Sequence, residues 1–248
     1  MDYIESINGC RNLDELFLLW KNKPKGIVTA KKGELTIDHS NSYFIADGIV
    51  NPNIWEDTSH KKILYVLKEA YGEDWGENTL ASWLGNSHPR VGLWSRVARW
   101  TYGLQRTSLN SIRRYKESLT EEEHNEALEA IAVLNLKKSN GKSCSDYDEI
   151  AAYAKFDKEE IQKEFELIDA DIVVCGSTFK TLWYSVFEKP PLQNDRNDNW
   201  YYFREICGRQ RLFIDYYHPA NQWPDLLNYY GLIGIYQQAL LEQHGQQE

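Results

Sequence analysis

Four cysteines in 248 residues are too few, and too irregularly placed, for the common cysteine-built scaffolds. Cys10, Cys144, Cys175 and Cys207 form no CxxC pair, so neither a zinc ribbon nor an iron–sulfur cluster has its usual spacing. A disulfide framework needs a higher density, and the thiols are expected to stay reduced in a cytosol, with Cys175 inside a buried strand. No apolar run approaches the roughly 18 residues that cross a bilayer. The polar, acidic start MDYIESINGC does not read as a signal peptide. Missing too are a Pro- or Gly-rich linker, an internal repeat and any low-complexity block besides the final EQHGQQE. The expectation is one soluble, cytoplasmic, monomeric domain over 1–248, with no metal or other cofactor and no membrane partner. Residues 1–60 form a helix-and-hairpin extension packed on it.

Positive charge is also scarce. There are 28 Lys+Arg against 37 Asp+Glu, a net charge of −9, which favours solubility and at first sight disfavours a nucleic-acid partner. The order of the charges qualifies that figure. Arg90, Arg96, Arg99, Arg106, Arg113, Arg114 and Lys116 follow one another with no acidic residue between them. Such a stretch can neutralise several phosphates. It can equally pair with the acids of 117–129 and 146–166 and merely solvate a helix.

What the chain does have is aromatic weight and short apolar runs. Nine Trp and 16 Tyr suggest a stacking site. Ile63–Leu67 (ILYVL), Ile131–Leu136 (IAVLNL), Asp171–Cys175 (DIVVC) and Leu212–Asp215 (LFID) are continuous rather than alternating, and rich in β-branched or aromatic residues. Strands buried on both faces of a parallel sheet read this way. Helical patterns over 13–20, 91–104, 120–130, 157–168, 178–187 and 224–243 alternate with them, the third opening on the capping pattern Thr120-Glu121-Glu122-Glu123. The predicted fold is a three-layer α/β/α sandwich around a central four-stranded, mainly parallel sheet.

Open parallel sheets bind ligands at the carboxyl ends of their strands. The first predicted strand is followed by Lys68-Glu69-Ala70-Tyr71. The second carries Asn135 and then Lys137 and Lys138, and the third runs into Gly176-Ser177-Thr178. The fourth leads to Tyr217-His218-Pro219-Ala220-Asn221. Three strand ends thus offer a carboxylate, an amide and an imidazole. Taken singly, Glu69 can be a helix N-terminal charge, Asn135 a turn cap and His218 a structural histidine. A second His-Pro, His88-Pro89, follows a helical stretch and reads as a turn.

From Lys62 to Asn221 this arrangement resembles the uracil-DNA glycosylase superfamily. ILYVLKEAYG looks like its first motif, with Glu69 at the acidic position and Tyr71 at the aromatic one. IAVLNLKKSNGKS resembles the Asn-bearing strand, DIVVCGSTF the glycine turn, and LFIDYYHPAN the His-Pro motif. The family's Gln-Asp-Pro-Tyr is here Lys68-Glu69-Ala70-Tyr71, and the Ser that commonly follows His-Pro is Ala220. Both departures point away from plain uracil and toward a modified or damaged base. The cysteines of the iron–sulfur branches are missing.

The resemblance implies a monofunctional DNA glycosylase that hydrolyses the bond between a flipped-out base and deoxyribose and leaves an abasic site. Glu69 would stabilise the oxocarbenium-like sugar and orient water, and His218 would stabilise the departing base anion. Asn135 would read the base edge, with Tyr71 as pocket wall and Trp75 and Trp94 for stacking. Lys137, Lys138, Arg96, Arg99 and Asn221 would contact DNA, and Gln222 and Trp223 would enter the gap in the stack. Excision of a bulky phage base, such as glucosylated hydroxymethylcytosine, would make the activity antiviral. The alternatives are a uracil enzyme of base-excision repair, an inactive nucleic-acid-binding module of this fold, and a free-nucleoside hydrolase or transferase.

Overall fold

The computed structural model describes residues 2–41, 43–71, 79–142, 144–190 and 200–245. The first half contains α1 (Tyr3–Gly9), α2 (Leu13–Lys21), β1 (Gly26–Ala30), β2 (Gly33–Ile37), β3 (Gly48–Ile49), α3 (Pro52–Trp55), β4 (Ile63–Glu69), α4 (Leu80–Ser87), α5 (Gly92–Arg106) and α6 (Glu121–Glu129). The second half contains β5 (Ile131–Lys137), α7 (Tyr147–Phe156), α8 (Lys158–Ile168), β6 (Ile172–Gly176), α9 (Phe179–Thr181), β7 (Tyr201–Ile206), β8 (Arg209–Tyr216) and α10 (Asp225–Gly245).

All four apolar runs are strands, and they pair in parallel in the order β5-β4-β6-β8. The sheet has six strands rather than the expected four, because β3 and β7 add antiparallel edges. At two residues, β3 is too short to leave a periodic signature. β7 joins β8 through a two-residue turn at Cys207-Gly208, both at positive φ (52° and 70°), the geometry that matches strand twist in a tight hairpin.

Alternation along β4 sorts its side chains to the two faces. Ile63, Tyr65 and Leu67 pack with Val97 and Trp100 of α5, Leu128 of α6 and Leu232 of α10. Leu64 and Val66 pack with Trp20 of α2, Ile150 of α7 and Phe165 of α8. Helices therefore cover both faces of the sheet. The capping box of α6 forms as its sequence indicates, with Thr120 and Glu123 exchanging hydrogen bonds of 3.2 and 3.1 Å. His88 ends α4 in a left-handed conformation and hydrogen-bonds Glu129, the turn role read for it.

The first sixty residues do more than decorate the sheet. The β1–β2 hairpin packs Val28 and Ile37 against Ala152 of α7. His39 makes two 3.0 Å contacts with the buried Asp157 carboxylate. Most consequentially, β3 docks on β5 and carries the residue before it, Asp47, to the carboxyl end of that strand.

Candidate active site

The ends of β4, β5, β6 and β8 open into a cleft of about 1090 Å³. Glu69, Asn135, Ser177 and His218 line it from the strand ends, and Leu80, Trp83, Leu93 and Trp94 line it from α4 and α5. Residues from four distant parts of the chain meet here because parallel strands all end on the same side of the sheet.

His218 sits in a tightly pinned loop. Its Nδ1 accepts a 3.2 Å hydrogen bond from the Ala220 N–H, so the neutral ring carries its proton on Nε2. Burial, reinforced by the Lys68 ammonium, lowers its pKa to about 4, which keeps the imidazole neutral near pH 7. The His218 N–H donates to Ser177 Oγ at 3.0 Å. Gly176 is required by close approach: a Cβ there would lie 2.9 Å from Leu67 Cδ2 and 3.2 Å from Pro219 Cδ.

Glu69 lies at the end of β4, nearly buried. Lys137 Nζ donates to its Oε2 at 2.8 Å and to Glu149 Oε1 at 2.8 Å. Burial alone would lower the Lys137 pKa, but the hydrogen bonds to Glu149 and Glu69 outweigh it and raise the value. Glu69 Oε1 is buried and has no hydrogen-bond partner among the described residues. Such an acceptor is costly to leave unmade.

Asn135 is 2% exposed, and Asp47 holds it. The Asn135 N–H and Nδ2 both donate to Asp47 Oδ2, at 2.6 and 3.0 Å. Lys138 Nζ lies 2.5 Å from Asp47 Oδ1 and 2.7 Å from Glu164 Oε2, all three side chains being fully buried. Burial, and next the Asp47 charge, push the Glu164 carboxyl well above the usual carboxylate range.

Several expected roles require correction. Lys137 and Lys138 are not phosphate contacts; both are buried and neutralise acids. Arg96 and Arg99 face inward, their side chains 13% and 12% exposed. Arg96 donates to Asp225 Oδ1 and to the Pro219 and Asn221 carbonyls, each at 2.7 Å, and Arg99 pairs with the same Asp225. Arg106 pairs with Glu126 and Lys116 with Glu123, while Arg113 donates to Tyr102 Oη. The acid-free stretch is thus largely consumed by internal pairing. Asn221 lines the cleft, but its amide ties the loop together by donating to the His218 carbonyl at 2.7 Å.

The aromatic expectations divide. Tyr71 stands at the cleft's edge 72% exposed, so it does not form an inner wall. Trp75 lies outside the described residues. Trp94 lines the cleft, as does Trp83, which sequence reasoning missed although α4 is an apolar helix close upstream. Gln222 and Trp223 are exposed, Trp223 at 59%, and its ring lies 6.5 Å from that of the cleft-lining Tyr217. Trp200 lies 5.2 Å beyond Tyr217, completing an exposed aromatic row.

Among the described residues, no helix is long and apolar enough to cross a membrane, and no group of three or more His, Cys, Asp and Glu side chains could hold a metal ion. No family model matches the chain, and no curated protein matches it.

Proposed function

We propose that the protein is a monofunctional DNA glycosylase of the uracil-DNA glycosylase superfamily fold, acting as a cytoplasmic monomer on a modified or damaged base. The observation that carries this reading is the meeting, in one cleft, of a neutral Nε2-donating imidazole, a carboxylate with one oxygen unpartnered among the described residues, and a rigidly held amide. Cleavage of the glycosidic bond builds positive charge on the sugar and negative charge on the base. Glu69 suits the first, through its charge and through Oε1 as acceptor for the attacking water. His218 suits the second, because its Nδ1 accepts from the Ala220 N–H and leaves an Nε2–H to donate to a base oxygen. Asn135 offers one carbonyl and one remaining N–H to the base edge.

Two observations favour hydrolysis of a bulky base. Lys137 and Lys138, the lysines at the end of β5, are locked in buried ion pairs and so are poor Schiff-base nucleophiles, which favours water. The cleft, at about 1090 Å³, exceeds the roughly 300–1,000 Å³ of pockets for drug-sized ligands. Together with the outward Tyr71, this leaves room for a substituent as large as a sugar, of the kind carried by glucosylated hydroxymethylcytosine in phage DNA. Excision there would serve antiviral defence. The inner order β5-β4-β6-β8 carries the four motifs of the resemblance, with β3 and β7 as additions at the edges.

The exposed row Trp200–Tyr217–Trp223 is the surface we assign to DNA. It grips by stacking, because the cations once counted for phosphates are paired internally. The deciding experiment is base release, read by mass spectrometry, from oligonucleotides bearing uracil, deaminated purines, 5-hydroxymethylcytosine and its glucosylated form. Release of a modified base with an alkali-labile abasic site supports the reading. Release of uracil alone would move it to base-excision repair, and binding without release would leave a nucleic-acid-binding module.

A further inference from the structure

We infer that Asp47 is a positioning residue that fixes which way round the Asn135 amide faces the cleft, and thereby which donor–acceptor order of base edge the cleft accepts. The inference deepens the glycosylase reading and rests on it for the substrate, but its structural half stands alone.

The two ends of a carboxamide have nearly the same shape and opposite hydrogen-bonding character. An Asn free to turn about its last bond can meet a 4-oxo pyrimidine edge (N3–H with a carbonyl) or a 4-amino edge (N3 with an amine), and so discriminates poorly. Discrimination needs a partner that makes one orientation costly. Asp47 is placed for this. Its Oδ2 accepts from Asn135 Nδ2 at 3.0 Å and from the Asn135 backbone N–H at 2.6 Å. Turning the amide would exchange that bond for a carbonyl oxygen facing a carboxylate, both of them acceptors, in a buried space.

The support behind Asp47 is also built. Lys138 Nζ lies 2.5 Å from Asp47 Oδ1 and 2.7 Å from Glu164 Oε2 on α8. The backbone just before Asp47 is tied twice: the Ile45 N–H donates to the Lys138 carbonyl at 2.7 Å, and the Leu80 N–H to the Ala46 carbonyl at 2.7 Å. Gly48 follows at φ 105°, a left-handed-side conformation that turns the chain from Asp47 into β3. The specificity element thus comes from residues 45–49, outside the four strand-end motifs.

The test uses the full-length protein, with Asp47→Asn, Asn135→Ala and the combined variant. Because Asp47→Asn removes one of the two buried acids that Lys138 contacts, Asp47→Asn/Lys138→Met is made alongside it to retain folding. First, exchange of the Asn135 side-chain N–H protons is followed by nitrogen-15 NMR. Expected is a loss of protection of at least about tenfold in the Asp47 variants, with the Leu134 and Leu136 backbone amides unchanged. Undiminished Asn135 protection overturns the inference. Second, base release is compared between oligonucleotides that differ only in carrying 4-oxo or 4-amino pyrimidines with the same 5-substituent. The native preference should shrink at least about tenfold on Asp47→Asn, and Asp47→Asn should add less than about twofold in the Asn135→Ala background. Additive losses, or an unchanged preference, overturn the specificity role. Release of no base by the native protein defeats the glycosylase reading and the specificity claim with it, while the exchange measurement still decides whether Asp47 orients Asn135.

Discussion

The loop that carries His218 and the strand end that carries Asn135 reach the same cleft but are held by different forces. The His218 loop is pinned mainly by donors aimed at backbone carbonyls: Arg96 on Pro219 and Asn221, and the Asn221 amide on His218. The end of β5 is held by fully buried charges, Asp47 and Lys138 with Glu164 behind them. The first arrangement is the more tolerant, because the His218 carbonyl accepts from both the backbone N–H and the side chain of Asn221, and Asp225 keeps Arg99 when Arg96 is lost. The second is brittle, since removing Lys138 leaves the Asp47 carboxylate uncompensated in the interior. A rigid reader set on a brittle support suits discrimination, and a donor set on a redundant one suits catalysis.

The largest expected effect breaks the brittle side. Lys138→Ala should cost about 3–5 kcal/mol of stability by leaving the Asp47 carboxylate buried and unpaired, measured as a shift in urea midpoint. Arg96→Ala, on the redundant side, should cost less than half of that. If the two losses prove equal, the contrast is wrong.

Next come the groups aimed at the substrate. Glu69→Gln should lower base release by about two to four orders of magnitude while circular dichroism and the melting temperature stay near native, because Lys137 keeps Glu149 as partner. Retained activity would remove Glu69 from the chemistry.

A smaller but sharper effect concerns pH. The folded His218 pKa is depressed, to about 4, so in the window between that value and its ordinary 6.5 the unfolded chain binds more protons than the folded one. Its contribution to stability is therefore complete above about 6.5 and is lost as the pH falls toward 4. Single-turnover base release should be flat from pH 7 to about 5 and fall with a midpoint near 4. A midpoint near 6.5 would mean that the ring is not desolvated in the working enzyme.

The smallest effects belong to the surface. With the acid-free stretch engaged internally, affinity for an oligonucleotide should fall about tenfold or less between 50 and 200 mM salt, against about 10³–10⁵ for a protein making six to ten phosphate contacts. Trp223→Ala should weaken single-strand binding by about 1–3 kcal/mol, read by fluorescence titration, without changing stability. A steep salt dependence would restore the basic segment as the DNA-binding face.

Much of the fold was legible because burial on both faces forces a continuous apolar run, which local composition shows directly. The four inner strands, and from their ends Glu69, Asn135 and His218, follow from that constraint. The edges were less visible: β3 is two residues long, and β7 is read only once the Cys207-Gly208 turn is recognised. Charge partners were legible only close by: Arg106 and Lys116 do pair with acids of 117–129. Arg96 and Asp225 are 129 positions apart, and nothing in the intervening chain says that they meet.

By itself, then, the sequence determined the apolar strands, the side of the sheet on which they end, and the carboxylate, amide and imidazole standing there. Apolar patterning is local, and parallel strands share one functional edge. Tertiary structure decided what each charge does. It turned Lys137, Lys138, Arg96 and Arg99 from expected phosphate contacts into internal struts, and it brought Asp47 to the amide of Asn135. The physical reason is that a charge takes its role from its nearest partner and its burial, and both are set by segments that meet only when the chain has folded.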